Sequence, residues 1–585
     1  MPATSVQFPT IASVRPEWLL ADPPDPAAVS SLCAELGLPE PICRLLVSRG
    51  YADPAHARAF LRPNPAQIHP PHLLAGMGGA VERLAVAAAR GETVLIHGDY
   101  DVDGICATAL LVRAFTMMGL RCVPFVPHRL RDGYDLTDAG VAAAQRAGAT
   151  LIVTADCGIV ADEAVRQARL AGLDVIVTDH HTPGASLPDA FAVINPSRPD
   201  CDYPEKGLAG VGVAFKLAAA LADRLDFPSE RLTSFLDLVA IATIADLAPL
   251  TSENRALVRW GLAVLARTPN VGLRALIRSC GLGDHEEITA GQIGFVLAPR
   301  LNAAGRMGDA MRGVRLLLTD DPREGEALAA ELELENRRRR DLDEETLADA
   351  LRMLENSYDP ERDFGLVLAS DRWHPGVIGI VASRVVERIH RPTVLVALRD
   401  GEGKGSGRSI PGFHLQKALV ECAPFLLRYG GHRAAAGCSV APERLSEFRM
   451  AFNAVARGML EERRPVPTLR LDGEIPLSHA SRDLVRLLRH FSPFGIGNPT
   501  PVFAAYGVAI AGVPRIVGKG HLKIVLAADD SRLDAIGFGM ADRIDSCTGR
   551  RIDVAFKLEE NSWQGRDGAI RTSVQARLVD FRPAQ

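Results

Sequence analysis

Residues 95–104, LIHGDYDVDG, close an apolar run with one histidine and three aspartates inside seven positions. An apolar run of this kind reads as a buried strand, and uncompensated charge at the end of one is costly. If the segment stayed extended, His97, Asp99, Asp101 and Asp103 would share one side, because strand side chains alternate with period two. Four such groups repel one another unless cations neutralise them. Carboxylates mixed with imidazole favour Mn2+, Mg2+ or Zn2+, and an oxygen-rich set leans to the first two. Capping of a following helix by Asp103, just before Gly104, accounts for one acid and leaves His97, Asp99 and Asp101 unexplained.

Working outward, TVLIH (93–97) is followed by RCVPFV (121–126), TLIVTAD (150–156), DVIVTD (174–179) and FAVIN (191–195), with alanine-rich helical stretches between most of them. Alternation of apolar strands and amphipathic helices predicts a parallel sheet covered on both faces. Ligands of such sheets bind beyond the carboxyl ends of the strands. Three of the runs end in HGDYDVDG, ADCG and DHH, so acids and histidines recur at one sheet edge. His180 and His181 are consecutive and diverge at a strand end, which predicts that one ligates metal and the other faces substrate.

The 585 residues carry a formal charge of -5, 47% hydrophobic and 23% charged residues, which fits an ordinary globular chain of several domains. The charge leaves nucleic acid open as a partner, since a basic channel is easily offset by acids elsewhere. Ten cysteines without a CxxC pair point to buried thiols, not a zinc ribbon or disulfide framework. The N-terminus lacks a basic segment followed by an apolar core, and no stretch offers about 18 uninterrupted apolar residues, so a cytoplasmic protein with no membrane association is expected.

The organisation expected is a proline-rich N-terminal extension (1–75), a parallel-sheet α/β domain (76–319), a charged connecting helix (320–357), a second α/β domain (358–462) and a C-terminal OB-like β-barrel (463–585). The RRRR run in the connecting helix reads as a solvated face among many acids. In the second α/β domain, GSGRSIPGFH and RYGGHRAAAG pair glycines with Arg and His, a composition that lets backbone approach an anion. On the barrel, Arg515, Lys519, His521 and Lys523 form a basic set, while Phe491, Phe494 and Trp563 read first as core or hinge packing and second as stacking platforms.

HGDYDVDG, TADCGI, TDHHTPG, LVAIATIADLAPL, APRLNAAGRMGDA, WHPGVIGIVASR, KGSGRSIPGFHL and GGHRAAAG follow in this order across residues ~95–440. On these motifs the chain resembles the DHH phosphoesterase superfamily, with its DHH and DHHA1 domains, and within it the exonucleases of single-stranded DNA. The resemblance implies two ions, Mn2+ or Mg2+, on His97, Asp101, Asp103, Asp156, His180 and Asp246, with Asp156 bridging. It places Asp156 and His181 at the reacting phosphate, and Asp99 as an acid supporting the ligands. Arg300, Asn302, Arg306, Ser406, Arg408, Ser409, Gly431 and His432 are implied to grip substrate. Two metals roughly 3.5–4 Å apart activate water, offset the added charge and assist the leaving oxygen in such sites. The expected activity is 5′ to 3′ hydrolysis of single-stranded DNA to mononucleotides in recombination and repair, by a monomer working with a helicase and a single-strand-binding protein. A small-nucleotide phosphodiesterase and a non-catalytic scaffold are the competing classes. The superfamily pattern has glycine third in GYGL, where this chain has Asp135.

Overall fold

The computed structural model describes residues 14–129, 131–283, 287–461, 465–547, 551–564 and 569–584. The chain gathers into two compact units. The larger holds Trp18–Leu301, Ala310–Ala329 and the described residues from Arg470 on, the smaller residues 14–17, Asn302–Asp309 and Ala330–Leu469. Among the described residues, no helix is long and apolar enough to cross a membrane.

All five apolar runs of the first domain are strands: β1 (Thr93–Gly98), β2 (Arg121–Phe125), β3 (Leu151–Ala155), β4 (Asp174–Thr178) and β5 (Ala192–Ile194). They pair in parallel in the order β2-β1-β3-β4-β5. Leu95, Ile152, Val175 and Val177 face one way, onto Val141, Ala144, Val165 and Ala168 of two short helices. The Val102–Met117 helix packs on β1 and β2. Strand order reverses between β1 and β3, and the crevice at such a switch point is where doubly wound sheets place ligands. Past the sheet, the Leu236–Ala245 helix is buried on every side from Leu236 to Ile244, as a helix apolar at all but Asp237 and Thr243 must be.

The smaller unit is built on β6 (Leu366–Ser370), β7 (Thr393–Arg399), β8 (Glu402–Arg408), β9 (Arg428–Gly431) and β10 (Ala435–Val440), in the order β9-β10-β8-β7-β6. Only β6 and β7 are parallel. The helix Pro322–Ser357 runs 36 residues. Its Leu347, Leu351 and Leu354 bury against Trp373, Val381 and Leu395, while Arg337, Arg338 and Arg340 are exposed.

At the C-terminus, β11 (Gly473–Glu474), β12 (Phe503–Ile510), β13 (Arg515–Val517), β14 (His521–Ala528), β15 (Ser531–Gly537), β16 (Arg551–Gln564) and β17 (Ile570–Pro583) form one sheet ordered β11-β12-β16-β17-β15-β14-β13. Pairing of Ala509 with Ala527 and Ile510 with Leu526 joins β12 to β14 and closes a five-stranded barrel, the OB-like architecture expected. The N-terminal helices Pro26–Leu36, Glu40–Ser48 and Pro54–Leu61 share this barrel's core: Leu32, Ile42, Leu46 and Phe60 pack with Leu484, Phe491 and Phe556. Phe491 is fully buried there, the core packing that the sequence favoured over a stacking platform.

Candidate active site

The carboxyl ends of β1, β3 and β4 and the end of the Leu236–Ala245 helix converge at the switch point. After Gly98 the chain leaves the extended conformation, and the Val102–Met117 helix begins with Asp101 as its N-cap. Asp101 Oδ1 accepts the Asp103 and Gly104 N–H groups at 2.9 and 3.2 Å, so the cap is Asp101, not Asp103. Asp103 lies in the first turn and accepts Gly210 N–H at 2.7 Å and Val211 N–H at 2.8 Å, at the N-terminus of the helix Gly210–Arg224. Asp156 follows β3 at φ 67, a left-handed conformation that Asp adopts more readily than most non-glycine residues. Asp246 is the C-cap residue of the Leu236–Ala245 helix. It precedes Leu247, which has φ 59 and is 67% exposed.

The donor atoms form three overlapping groups: Asp99, Asp101 and Asp156; Asp103, His180 and Asp246; Asp156, His180 and His181. His180 Nε2 lies 3.1 Å from Asp156 Oδ1, 3.7 Å from Asp246 Oδ2 and 3.8 Å from Asp103 Oδ2. The 3.1 Å approach lacks hydrogen-bond geometry, and His180 Nε2, Asp156 Oδ1 and Asp99 Oδ1 are buried atoms without a hydrogen-bond partner. Burial, then the charges of Asp103 and Asp101, push the Asp156 carboxyl well above its ordinary range. Burial and Asp246 do the same to Asp103, burial and Asp101 to Asp99. Asp246 is pushed up to about 7, by burial and Asp101. Burial holds His180 down at about 4, neutral and free to ligate. Buried acids this close resist ionisation together, and divalent cations reverse that preference. The donor set therefore fits hard divalent ions such as Mn2+ or Mg2+.

Two residues sit differently from their sequence-based expectation. Asp99, expected to support the ligands, has its carboxylate in the cluster itself. His97, expected among the ligands, lies in none of these groups, although its Nε2 is also a buried atom without a hydrogen-bond partner. Its Nδ1 faces Cys157 Sγ at 3.7 Å, and a Cβ on Gly140 would stand 2.6 Å from its Nε2. The period-two reading required a strand beyond Gly98, and the chain turns there.

Asp179, quoted in the motif but given no role from the sequence, organises the histidine pair. Its Oδ1 accepts His180 N–H at 2.7 Å and His181 N–H at 3.1 Å and lies 2.8 Å from His181 Nδ1, while Oδ2 accepts Ile159 N–H at 3.0 Å. Burial opposes charge on His181, but the hydrogen bond and charge of Asp179 outweigh it and hold the imidazole up at about 9. His181 Nε2 is then a donor, with the Tyr134 hydroxyl 3.4 Å away.

In the smaller unit, Ser406 and Arg408 end β8 beneath the N-terminus of the helix Ile378–Ile389. A Cβ on Gly379 would stand 2.9 Å from both Ser406 Oγ and Arg408 Nη2, so glycine lets the guanidinium and hydroxyl reach this helix end, an anion-binding arrangement. Arg408 Nη1 donates to Ser406 Oγ at 3.2 Å and to Gly407 O at 2.8 Å. Ser409 turns inward, its hydroxyl donating to Phe413 O at 3.0 Å. Gly431 has φ 134, and His432 N–H donates to Ala435 O at 2.8 Å, both exposed at the β9–β10 turn. Arg306 Nη1 donates to Gly376 O at 3.3 Å, within the same unit as Asn302. In the larger unit Arg300 Nη1 donates to Val296 O at 2.6 Å, across a π-helical stretch, Ile293–Leu297.

On the barrel, cross-strand pairing aligns Arg515 with Lys523, Lys523 with Ile536, Ile536 with Arg577 and Arg577 with Lys557. Directly paired residues share a face, so four cations form one row. Phe538, 47% exposed, lies beside it with the Arg577 guanidinium 5.0 Å over its ring and His521 5.0 Å away. The sequence reading found Arg515 and Lys523 but missed Arg577, Lys557 and Phe538, because only the register brings distant strands into one row.

The chain matches the model of the DHH family N-terminal domain over residues 93–243, the DHHA1 domain over 363–458 and the RecJ OB domain over 471–579. It is 37% identical over 547 residues to the single-stranded-DNA-specific exonuclease RecJ of Bacillus subtilis, covering 93% of this chain and 68% of that protein. With the RecJ exonuclease of Escherichia coli it shares 37% identity over 556 residues, covering 90% and 94%. The crystal structure of RecJ in complex with Mn2+ from Thermus thermophilus superposes with a TM-score of 0.82 at 34% identity, covering 97% of this chain and 80% of that one. Its Mg2+ complex gives 0.76 at 33%, covering 97% and 79%. Three domain matches in the order of the fold, and relatives aligned along nearly the whole chain, place it in one family: the chain belongs to the RecJ family of single-stranded-DNA-specific exonucleases.

Proposed function

We propose that this chain is a divalent-metal-dependent exonuclease that degrades single-stranded DNA from the 5′ end to mononucleotides, in DNA recombination and repair. The observation that carries the reading is the convergence of five carboxylates and two histidines at one sheet switch point, with buried donor atoms that no protein group satisfies. In this reading Asp99, Asp101 and Asp156 hold one ion, Mn2+ or Mg2+, and Asp103, His180 and Asp246 hold a second. When bound, the ions supply positive charge to the scissile phosphate and lower the pKa of the attacking water.

The chain's own residues do the rest. Asp179 fixes His181 so that its Nε2 proton points outward, where it neutralises the phosphate and passes to the departing 3′ oxygen. Ser406, Arg408 and the helix end at Gly379 receive a phosphate, with His432 and the Gly431 turn beside the strand. The barrel row of Arg515, Lys523, Arg577 and Lys557, with Phe538, holds single-stranded DNA by charge and stacking. A helicase and a single-strand-binding protein supply and protect that strand, and the chain acts as a cytoplasmic monomer.

The test is digestion of a long single strand labelled at either end, with Mn2+ or Mg2+ and with Asp156→Ala as control. Early release of the 5′ label as mononucleotide is expected, and Asp156→Ala abolishes it. Rapid cleavage of dinucleotides with long DNA intact assigns the chain to the small-nucleotide phosphodiesterases instead, and binding without hydrolysis assigns it to the scaffolds.

A further inference from the structure

In the loop between β2 and the Asp138–Arg146 helix, one residue is held in a conformation its side chain must compensate. Asp135 has φ 75, a left-handed backbone that costs an L-residue about 1 kcal/mol. Its Oδ1 accepts Leu136 N–H at 2.8 Å and, 23 residues along the chain, Gly158 N–H at 2.6 Å. Leu136 is anchored in the core at 4% exposure. Gly158 closes the turn that carries Asp156. The carboxylate therefore clips residues 131–137 onto the strand-end turn of the metal cluster.

Tyr134 is the residue this clip presents. Its ring meets that of His181 edge-on, with centroids 6.3 Å apart at 84°, and its hydroxyl is 3.4 Å from His181 Nε2. On its other side is the Tyr100 ring, at 6.0 Å and 69°, itself covered by the Arg129 guanidinium at 5.0 Å. His181 Nδ1 is already engaged by Asp179. Ring rotation about that contact is then limited by what stands at Nε2, and there the structure places the Tyr134 hydroxyl.

We propose that Asp135 is a positioning residue for the hydrolysis, fixing the Tyr134 hydroxyl against His181 Nε2 and so setting where His181 directs its proton. The inference rests on the reaction proposed above. Asp135→Gly removes the carboxylate and the backbone strain together, which keeps the loop folded. It lowers kcat on single-stranded DNA with Mn2+ on the order of tenfold, with KM changed by less than about twofold. Asp135→Asn, whose amide oxygen accepts the same two N–H groups and which tolerates a left-handed backbone, recovers most of that loss. In a Tyr134→Phe background, Asp135→Gly changes kcat by less than about twofold, because the hydroxyl it positions is already gone and the two losses are coupled, not additive. An equal loss in both backgrounds overturns the proposal, as does an unchanged kcat in Asp135→Gly alone. A wild-type chain that leaves single-stranded DNA intact fails the reaction and takes this inference with it; an active wild type with additive variants fails only the role of Asp135.

Discussion

Replacing Asp156 by asparagine stabilises the metal-free protein and destabilises it relative to wild type once Mn2+ is added. Asp156 is 1% exposed, and its Oδ1 has no hydrogen-bond partner. Burial and the neighbouring acids raise its pKa well above 3.8. The sign follows from linkage: a carboxyl whose folded pKa is raised is least costly below its unfolded pKa, and stability is lost as pH climbs above about 4. Protonating such a group on folding costs about 1.4 kcal/mol per pH unit, so about 4 kcal/mol at pH 7 is the upper bound. An amide is itself imperfectly satisfied among acids, which leaves a net gain of about 1–3 kcal/mol. In a domain of this size that raises the melting temperature by roughly 2–6 °C. Scanning calorimetry in chelator at pH 5.5 and 7.5 reads it, with the larger gain at 7.5. In Mn2+ at about a hundredfold its Kd, wild type gains about 2.7 kcal/mol and the variant much less, so the two melting temperatures change order. A variant less stable than wild type in chelator at both pH values would show that the cluster is not charge-frustrated, and the argument for cations would go with it.

His181→Asn lowers kcat on the order of 10²–10⁴-fold while the Mn2+-induced rise in melting temperature persists, as calorimetry and single-turnover cleavage together establish. Arg255, 1% exposed, donates to the backbone carbonyls of Phe60, His490, Phe491, Ser492 and Pro493, tying the N-terminal helices to the barrel. Asn498 Nδ2 also donates to the Phe491 and Pro493 carbonyls and Arg259 Nη1 to that of Ser492, so Arg255→Met strips the Phe60 and His490 carbonyls of this donor and costs about 3 kcal/mol in urea denaturation. Arg408→Ala raises KM for a 5′-phosphorylated strand about tenfold with little change in kcat, and Arg408→Lys recovers only part, because a point charge does not replace the guanidinium fork.

The parallel sheet was legible because each run was apolar, β-rich and bounded by turn residues, and its acids stood out at strand ends where burial could not explain them. The barrel was legible as a class but not in its closure, since the contact of Ala509 with Ala527 depends on register. Nothing local in Leu32, Ile42 or Phe60 says that their partners are Leu484, Phe491 and Phe556; an apolar helical face declares burial, not a partner. At the site, the same limit separated His97 from the acids that follow it. One bend after Gly98 sends Asp99 into the cluster, Asp101 to a helix cap and Asp103 to the terminus of another helix. Asp179, and the contact of Tyr134 with His181, escaped because that work is done on His181, and a residue that orients another carries no charge pattern of its own.

The acids reach this density because backbone packs between them. A Cβ on Gly104 would stand 2.5 Å from the Asp99 nitrogen, and one on Gly210 would stand 2.6 Å from Asp156 Oδ1. Gly210 also opens a helix whose first N–H groups donate to Asp103, so that helix end faces two carboxylates at once. A helix terminus contributes about half a positive charge, far less than five ionised carboxylates require. The fold thus supplies a fixed fraction of the compensation and leaves the remainder to mobile cations. Without them the geometry survives only by keeping acids protonated, and that residual frustration is the quantity the calorimetric inversion of wild type and Asp156→Asn measures.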